Sequence, residues 1–367
     1  MPMAESRVQG AVVCLGIFAV MALSNAIVPV LPEFAETSAW QGAIYAAYFF
    51  GAFVSTLPGG VLTDRYGTSP VLRSGLLMTV ISGGLLVVVS SPLLVVLIRA
   101  FEGIGAGLFV AAALAYVNSR TDHVRMSGYY MAMLNLGLVV SLLLSGWLAV
   151  FFSSSVVAIG FFAVFTLIAL AGSGAVGWPV ISPPEKRETS RVCRFIRTNL
   201  WLWYSAVILV GITGVASSLY PDFSEGTPDI VGFWIASMSI ATIVTVLIAS
   251  RFRLFSGRVI FWSSLLMAGA VLLIPVSPVS FAILGALAGI VMIAQMAFLA
   301  QVPGRQGLLM GLFSTSSYLG MAVLPLLAGL IADSAGFLMA FTFAAILGVT
   351  VAIATAGVLG MSSETSA

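Results

Sequence analysis

Arg99 and Glu102 stand three residues apart in an otherwise apolar stretch, Arg99-Ala100-Phe101-Glu102-Gly103-Ile104-Gly105-Ala106-Gly107. At that spacing two side chains share one helix face, so a guanidinium and a carboxylate can meet. An apolar surrounding disfavours the ionised carboxylate, while the adjacent guanidinium favours it. A group balanced in this way takes up a proton or releases it as water reaches it or withdraws. The structural alternative is a static, mutually neutralised pair that pins its helix to its neighbours. An ionisable residue inside an apolar span is a functional-site hypothesis by default, to be set against that structural reading.

The elements that must hold this pair follow from composition. The chain has 367 residues, of which 60% are hydrophobic and 8% charged. A soluble domain carries about 25% charged residues. So little charge cannot cover a water-exposed surface, which makes this an all-α membrane protein. A membrane-spanning helix takes about 20 apolar residues. Twelve segments meet that length, at 11–32, 40–62, 71–90, 93–117, 127–151, 155–178, 199–221, 229–250, 259–276, 279–302, 307–331 and 335–360. The first, from Ala11, is too long for a signal-peptide core and lacks a cleavage site, so it reads as a retained span.

Charge sets the topology. The chain has fifteen basic residues, and all but Arg99 fall in polar breaks on one side of the ladder: Arg7; Arg65 and Arg73; Arg120 and Arg125; Lys186, Arg187, Arg191, Arg194 and Arg197; Arg251, Arg253 and Arg258; and Arg305. The opposite breaks hold Glu33, Glu36, Asp222, Glu225, Asp229 and Asp333, with no Lys or Arg. Basic loops stay cytoplasmic, which predicts a multi-pass plasma-membrane protein with both termini inside. The longest break divides the chain into bundles at 1–181 and 199–367, joined by a cytoplasmic linker at 182–198. The halves share a weak repeat. Pro32-Glu33-Phe34 matches Pro221-Asp222-Phe223, Gly42 matches Gly232, and Gly103 matches Gly289. Gly128, Gly137 and Gly146 match Gly311, Gly320 and Gly329. Two parallel repeats are the layout of transporters that rock two halves about a midplane site.

Between spans 2 and 3 runs Gly60-Val61-Leu62-Thr63-Asp64-Arg65-Tyr66-Gly67-Thr68-Ser69-Pro70-Val71-Leu72-Arg73. This resembles the loop motif of the major facilitator superfamily, Gly-x-Leu-Ala-Asp-Arg-x-Gly, through Gly60, Leu62, Asp64, Arg65, Gly67 and Leu72. The family's two basic residues are replaced by Thr68 and Ser69. Gly60 would let a neighbouring helix approach closely. Asp64, at a helix end, can accept hydrogen bonds from a neighbouring helix N-terminus and pair with a basic residue. The resemblance implies a conformational latch made by Gly60, Asp64, Arg65, Gly67 and Arg73 that stabilises the outward-open state. Span 4 also looks like the family's proton-linked transporters, which carry an Arg followed three residues on by Gln and Gly. Arg99, Gly103 and Gly105 match, and Glu102 replaces the Gln. Span 5 lacks the central Gly-Pro of the antiporter motif.

The candidate cavity lining is neutral: Asn25, Tyr45, Tyr48, Asn135, Tyr204, Gln295 and Tyr318, each of which also reads as an ordinary packed helix contact. Arg99 is the only cation well inside a span, which favours a neutral, cationic or amphipathic organic solute over an anion. No Walker loop, metal-ligand cluster or nucleophile arrangement stands in the chain, so neither an enzyme nor a cofactor is expected. The expectation is a twelve-helix secondary transporter with rocker-switch alternating access. It would be monomeric, carry a small organic substrate with protons as the coupling ion, and bind no nucleic acid. Antiport that exports an amphipathic or drug-like compound is favoured. Coupled or uncoupled uptake of a sugar or other metabolite is the alternative, and a non-transporting receptor or scaffold the rival from another class.

Overall fold

The computed structural model describes residues 3–120, 122–174, 196–252, 256–300 and 306–364. These residues form helices and no strand. In chain order the α-helices are α1 (Met3–Ala26), α2 (Ser38–Tyr66), α3 (Thr68–Val88), α4 (Pro92–Ser119), α5 (His123–Phe152) and α6 (Ser155–Gly174). They continue with α7 (Leu200–Phe223), α8 (Pro228–Ala249), α9 (Ser256–Leu273), α10 (Ser280–Ala300), α11 (Gln306–Ala335) and α12 (Phe337–Glu364). Hydrocarbon offers the backbone no partner, so apolar segments of this length pair their own N–H and C=O groups as helices. Among the described residues, eleven helices are long and apolar enough to cross a membrane. The twelfth, α9, has a shorter apolar run, Gly257–Leu273. It stops short of the expected residue 276 because Pro275 has no N–H to give and crowds the carbonyl of Val271.

Proline also shapes α1. Pro29 would clash with the carbonyl of Asn25 in a continuing helix. The α-helix accordingly ends at Ala26, and a 3-10 helix, Val28–Glu33, carries the chain on. Expected span 1, at 11–32, is therefore a broken helix. Two other prolines start helices, Pro92 in α4 and Pro228 in α8, where the missing N–H costs nothing. Most of the expected break at 182–198 lies outside the described residues, as do Arg253 and Arg305.

Two compact units form. The first contains residues 1–36, 47–185 and 224–236, and the second 37–46, 186–223 and 237–367. Helices α2 and α8 thus each begin in one unit and continue in the other. In the first unit α1 packs on α5 and α6, and α3 on α4 and α6. In the second, α7 packs on α11 and α12, and α9 on α10 and α12. The same pairs recur six helices apart, which gives the weak sequence repeat a physical meaning.

The repeated glycines are where these pairs touch. A Cβ at Gly137 would collide with the Phe18 carbonyl of α1, and one at Gly320 with the Val207 carbonyl of α7. Gly146 lies against the Pro228 carbonyl at the start of α8, and Gly329 against the Ser38 carbonyl at the start of α2. Only a residue without a side chain lets backbones approach so closely. The third matched pair, Gly128 and Gly311, meets no described atom within 4 Å, so that match carries no contact. Gly103→Ala and Gly320→Ala should each cost about 1–3 kcal/mol through overpacking. Gly84→Ala, where a Cβ meets nothing within 4 Å, should be neutral or stabilising by up to about 1 kcal/mol, since alanine is the better helix former. Thermal melting of the purified variants checks both.

Candidate functional site

α4 starts at Pro92 and rises about 1.5 Å per residue, which puts Arg99 about 10 Å and Glu102 about 15 Å along its axis. In a hydrocarbon core about 30 Å thick, Glu102 is too deep to reach either interface. Both side chains are enclosed, with 1% of Arg99 and none of Glu102 exposed. Arg99 Nη1 donates to Glu102 Oε2 at 2.7 Å.

Two further groups hold the guanidinium. Arg99 Nη2 donates to the Ser24 carbonyl at 2.9 Å. Ser24 belongs to the last turn of α1, where carbonyls lack intrahelical donors and the helix dipole is negative. The cation therefore caps the end that Pro29 creates. On its other side, Arg99 Cζ lies 4.7 Å from the centre of the Tyr48 ring. That ring is buried, and it is pressed there by backbone contact between α2 and α4. Cβ atoms at Gly51 and Gly103 would strike the Ala100 and Tyr48 carbonyls, respectively. A desolvated cation over a tyrosine ring is worth about 2 kcal/mol.

Satisfaction is incomplete. Among the described residues, Arg99 Nε and Glu102 Oε1 are buried without a hydrogen-bond partner. A buried polar atom left unpaired costs about 1–3 kcal/mol, and more when charged. The pair is thus held, but its last donor and acceptor positions stay open. Glu102 Oε1 can take a proton there, and Arg99 Nε can donate to an anionic or carbonyl oxygen.

The other expected lining residues separate into different surroundings. Asn25 is half-buried; its Nδ2 donates to the Met21 carbonyl at 3.1 Å and to Ser24 Oγ at 2.9 Å. It lies next to the carbonyl that Arg99 caps. Tyr45, one turn from Tyr48, belongs to the second unit and faces Gly214 of α7. Asn135 Nδ2 donates to Met131 O of its own helix. Tyr204 is hydrogen-bonded to Thr350 of α12 at 2.6 Å. Gln295 is buried and donates to Ser205 Oγ of α7 at 2.9 Å. Tyr318 is half-buried in α11. Only Asn25 and Tyr48 are placed around the pair.

The loop motif also resolves into separate contacts. Asp64 is half-buried near the end of α2. The guanidinium of exposed Arg65 stacks on Tyr66, 5.2 Å from the ring centre. Arg73 donates to the Ser173 carbonyl at 2.8 Å from Nη2 and 3.1 Å from Nε, and so caps the end of α6. Gly67 has φ +88°, a left-handed conformation that only glycine adopts freely, and it turns the chain sharply from α2 into α3. Gly60 departs from its expected role. A Cβ there meets no described atom within 4 Å, and the neighbouring Gly59 is the one that faces Leu108 and Ala111 of α4. A one-residue step turns a helix by about 100°, which is enough to change the face.

A tie that spacing did not reveal lies at the far end of α4. Arg120 Nη1 donates to Tyr116 Oη at 2.9 Å, and Tyr116 Oη donates to Gln9 Oε1 of α1 at 3.3 Å. Arg120 Nε donates to Asp122 at 2.7 Å, and this contact holds the exposed Asp122 carboxyl below its ordinary pKa. Helices α1 and α4 are thus joined at the pair and again near their other ends.

Curated relatives match part of the chain. It is 28% identical over 178 residues to a putative inorganic phosphate cotransporter of Drosophila melanogaster, covering 46% of this chain and 33% of that protein. It is 28% identical over 158 residues to a probable anion transporter 6, chloroplastic, of Arabidopsis thaliana, covering 40% and 30%. Sialin of Ovis aries is 30% identical over 164 residues, covering 41% and 32%. The chain therefore spans about a third of the length of these relatives. Two solved structures share the fold throughout. The nucleoside transporter NupG has a TM-score of 0.79 at 12% identity, covering 95% of this chain and 99% of that one. The human organic anion transporter MFSD10 (TETRAN) has a TM-score of 0.67 at 18% identity, covering 97% and 100%. The model of the family described as Major Facilitator Superfamily matches residues 13–227, more than half of the sequence, and the chain belongs to that family of membrane transporters.

Proposed function

We propose that this chain is a proton-linked secondary transporter of a small organic anion, with Glu102 as the proton carrier and Arg99 as its counter-ion. The observation that carries the proposal is the fully enclosed pair with one carboxylate oxygen and one guanidinium nitrogen left unpaired. Protonation of Glu102 removes the negative charge that neutralises Arg99. The freed positive charge then suits one anionic group, so a proton and a monoanion can enter together without net charge in the apolar interior. Relatives named as anion and phosphate carriers support the substrate class. Because Glu102 is enclosed, proton exchange requires a rearrangement that lets water in, and this links occupancy to alternating access.

A second reading keeps the same proton carrier but exports an amphipathic or drug-like compound by exchange. Its support is that Arg99 is the only cation well inside a span, so the site offers few charges to an anion. The two readings differ in sign. Anion–proton symport into proteoliposomes speeds up as the pH falls on the side from which substrate enters. Exchange with protons is instead driven by acid on the opposite side. A thermal-shift screen of small carboxylates, phosphate and amphipathic compounds selects the substrate to assay, since a ligand of the folded state raises its melting temperature.

Two predictions follow from the pair. Glu102→Gln should abolish uphill transport while preserving exchange of labelled for unlabelled substrate, measured by proteoliposome flux; uphill transport at the parent rate would make Glu102 structural. Tyr48→Leu, which removes the ring under Arg99, should destabilise by about 2 kcal/mol more than Tyr48→Phe, which keeps it, as read by thermal melting.

A further inference from the structure

The second unit contains an acidic contact that the transport reading does not use. Helix α2 begins there with Thr37 as its N-cap. Trp40 N donates to Thr37 Oγ1 at 3.4 Å, and Gln41 N donates to the Thr37 carbonyl at 3.0 Å. The N–H just before them, on Ala39, donates instead to Asp333 Oδ2 of α11 at 3.1 Å. The Ser38 hydroxyl donates to Asp222 Oδ2 of α7. Two carboxylates from two different helices thus meet the first turn of α2, which has no acidic residue of its own. The breaks that hold Asp222 and Asp333 contain no Lys or Arg. The partner available to these charges is the positive end of α2.

The backbone is tight at the same place. A Cβ at Gly42 would lie 2.5 Å from the Pro325 carbonyl of α11, and one at Gly329 would lie 2.5 Å from the Ser38 carbonyl. The repeat supplies a contrast. At the start of α8, in the first unit, a Cβ at Gly232 would likewise strike the Leu142 carbonyl of α5. There the acidic residue belongs to the helix itself: Asp229 stands in the first turn and accepts a hydrogen bond from Thr227 Oγ1. Ala39 of α2 stands where α8 has Asp229, when Gly42 is aligned with Gly232. Glu33, the repeat counterpart of Asp222, is exposed. The start of α8 carries its own acidic residue, whereas the start of α2 is met by two carboxylates from α7 and α11.

We propose that Asp222 and Asp333 form a carboxylate latch on the N-terminus of α2, which holds its first turn against α7 and α11 and must be released for this seam to part during alternating access. The proposal needs only that the chain alternates between two states, and it stands apart from the identity of substrate or coupling ion. A latch present in one state and absent in the other biases the equilibrium by its full differential strength. A carboxylate at a helix N-terminus that also accepts a hydrogen bond is worth roughly a tenfold change in an equilibrium.

The test places spin labels on cysteines at Trp40 of α2 and Ser334 of α11, with Cys14 and Cys193 replaced by serine, in the full chain in lipid nanodiscs. Both labelled positions are exposed and lie in the second unit. Asp222→Asn with Asp333→Asn keeps shape and acceptor oxygens but removes the charge. The ratio of the longer to the shorter label separation should rise about tenfold. Ser38→Ala, which removes one donor and leaves both carboxylates, should shift it in the same direction by less. Melting curves of the same samples establish that each variant is folded. Unchanged distance distributions in both folded variants, or a shift toward the shorter separation, would overturn the latch.

Discussion

One unneutralised charge in hydrocarbon would cost more than most other interactions in the fold provide, and Arg99 is that charge. Its environment is organised around this constraint. Glu102 supplies the opposite charge from the same helix face. The end of α1 supplies a carbonyl and the negative end of a dipole. α2 supplies an aromatic face. Each helix can deliver its group only by lying very close. The glycines between α2 and α4 allow that approach, and Pro29 stops α1 at the height where its last carbonyls meet the guanidinium. The close packing and the broken first helix are what allow one cation to sit where water cannot reach it.

Within each unit the same helix pairs recur at a spacing of six helices, and glycines at matching positions make the contacts. The chemistry does not recur. The second unit places a neutral amide–hydroxyl contact, Gln295 to Ser205, in its buried interior, where the first has an ion pair. Two repeats can therefore share one packing plan, set by backbone distance, while the polar groups diverge. Packing depends on the absence of side chains at a few positions, and charge depends on their presence at others. The two sets of positions do not overlap.

This separation explains what was legible in the sequence. The helices were, because hydrocarbon forces any apolar segment of that length into one, and Pro275 accounts for the early end of α9. The Arg99–Glu102 pair was, because its members are three residues apart on one helix. The partners of Arg99 were harder to read. Every residue carries a carbonyl, so nothing in the side chain of Ser24 marks its backbone oxygen as a ligand, and only Pro29 hints that α1 ends there. Tyr45 and Tyr48 read as one face, yet α2 passes from one unit to the other between them, and they serve different helices. The Ala39–Asp333 contact spans 294 residues of chain, a separation at which spacing carries no information. That Gly59 rather than Gly60 faces α4 was not legible, because a motif gives a position within a loop without giving the rotation of the helix that precedes it.

The three-way hold on Arg99 also bears on how a proton could move helices. With Glu102 ionised, the guanidinium shares its charge between a carboxylate on α4 and the carbonyl end of α1. With Glu102 protonated, the strongest of its partners is lost, and the dipole end of α1, equivalent to about half an elementary charge, becomes the main negative group it faces. The cation is then drawn toward α1 and away from the α4 carboxyl, or toward an incoming anion if one is present. Under the proposed proton coupling, the balance of force between α1 and α4 would therefore depend on one proton. The break after Ala26 is where that force meets the least resistance, because the i to i−4 ladder is already interrupted there. A continuous helix would spread the same force along its length. A broken one concentrates it at Asn25 and Ala26, beside the Ser24 carbonyl that Arg99 holds.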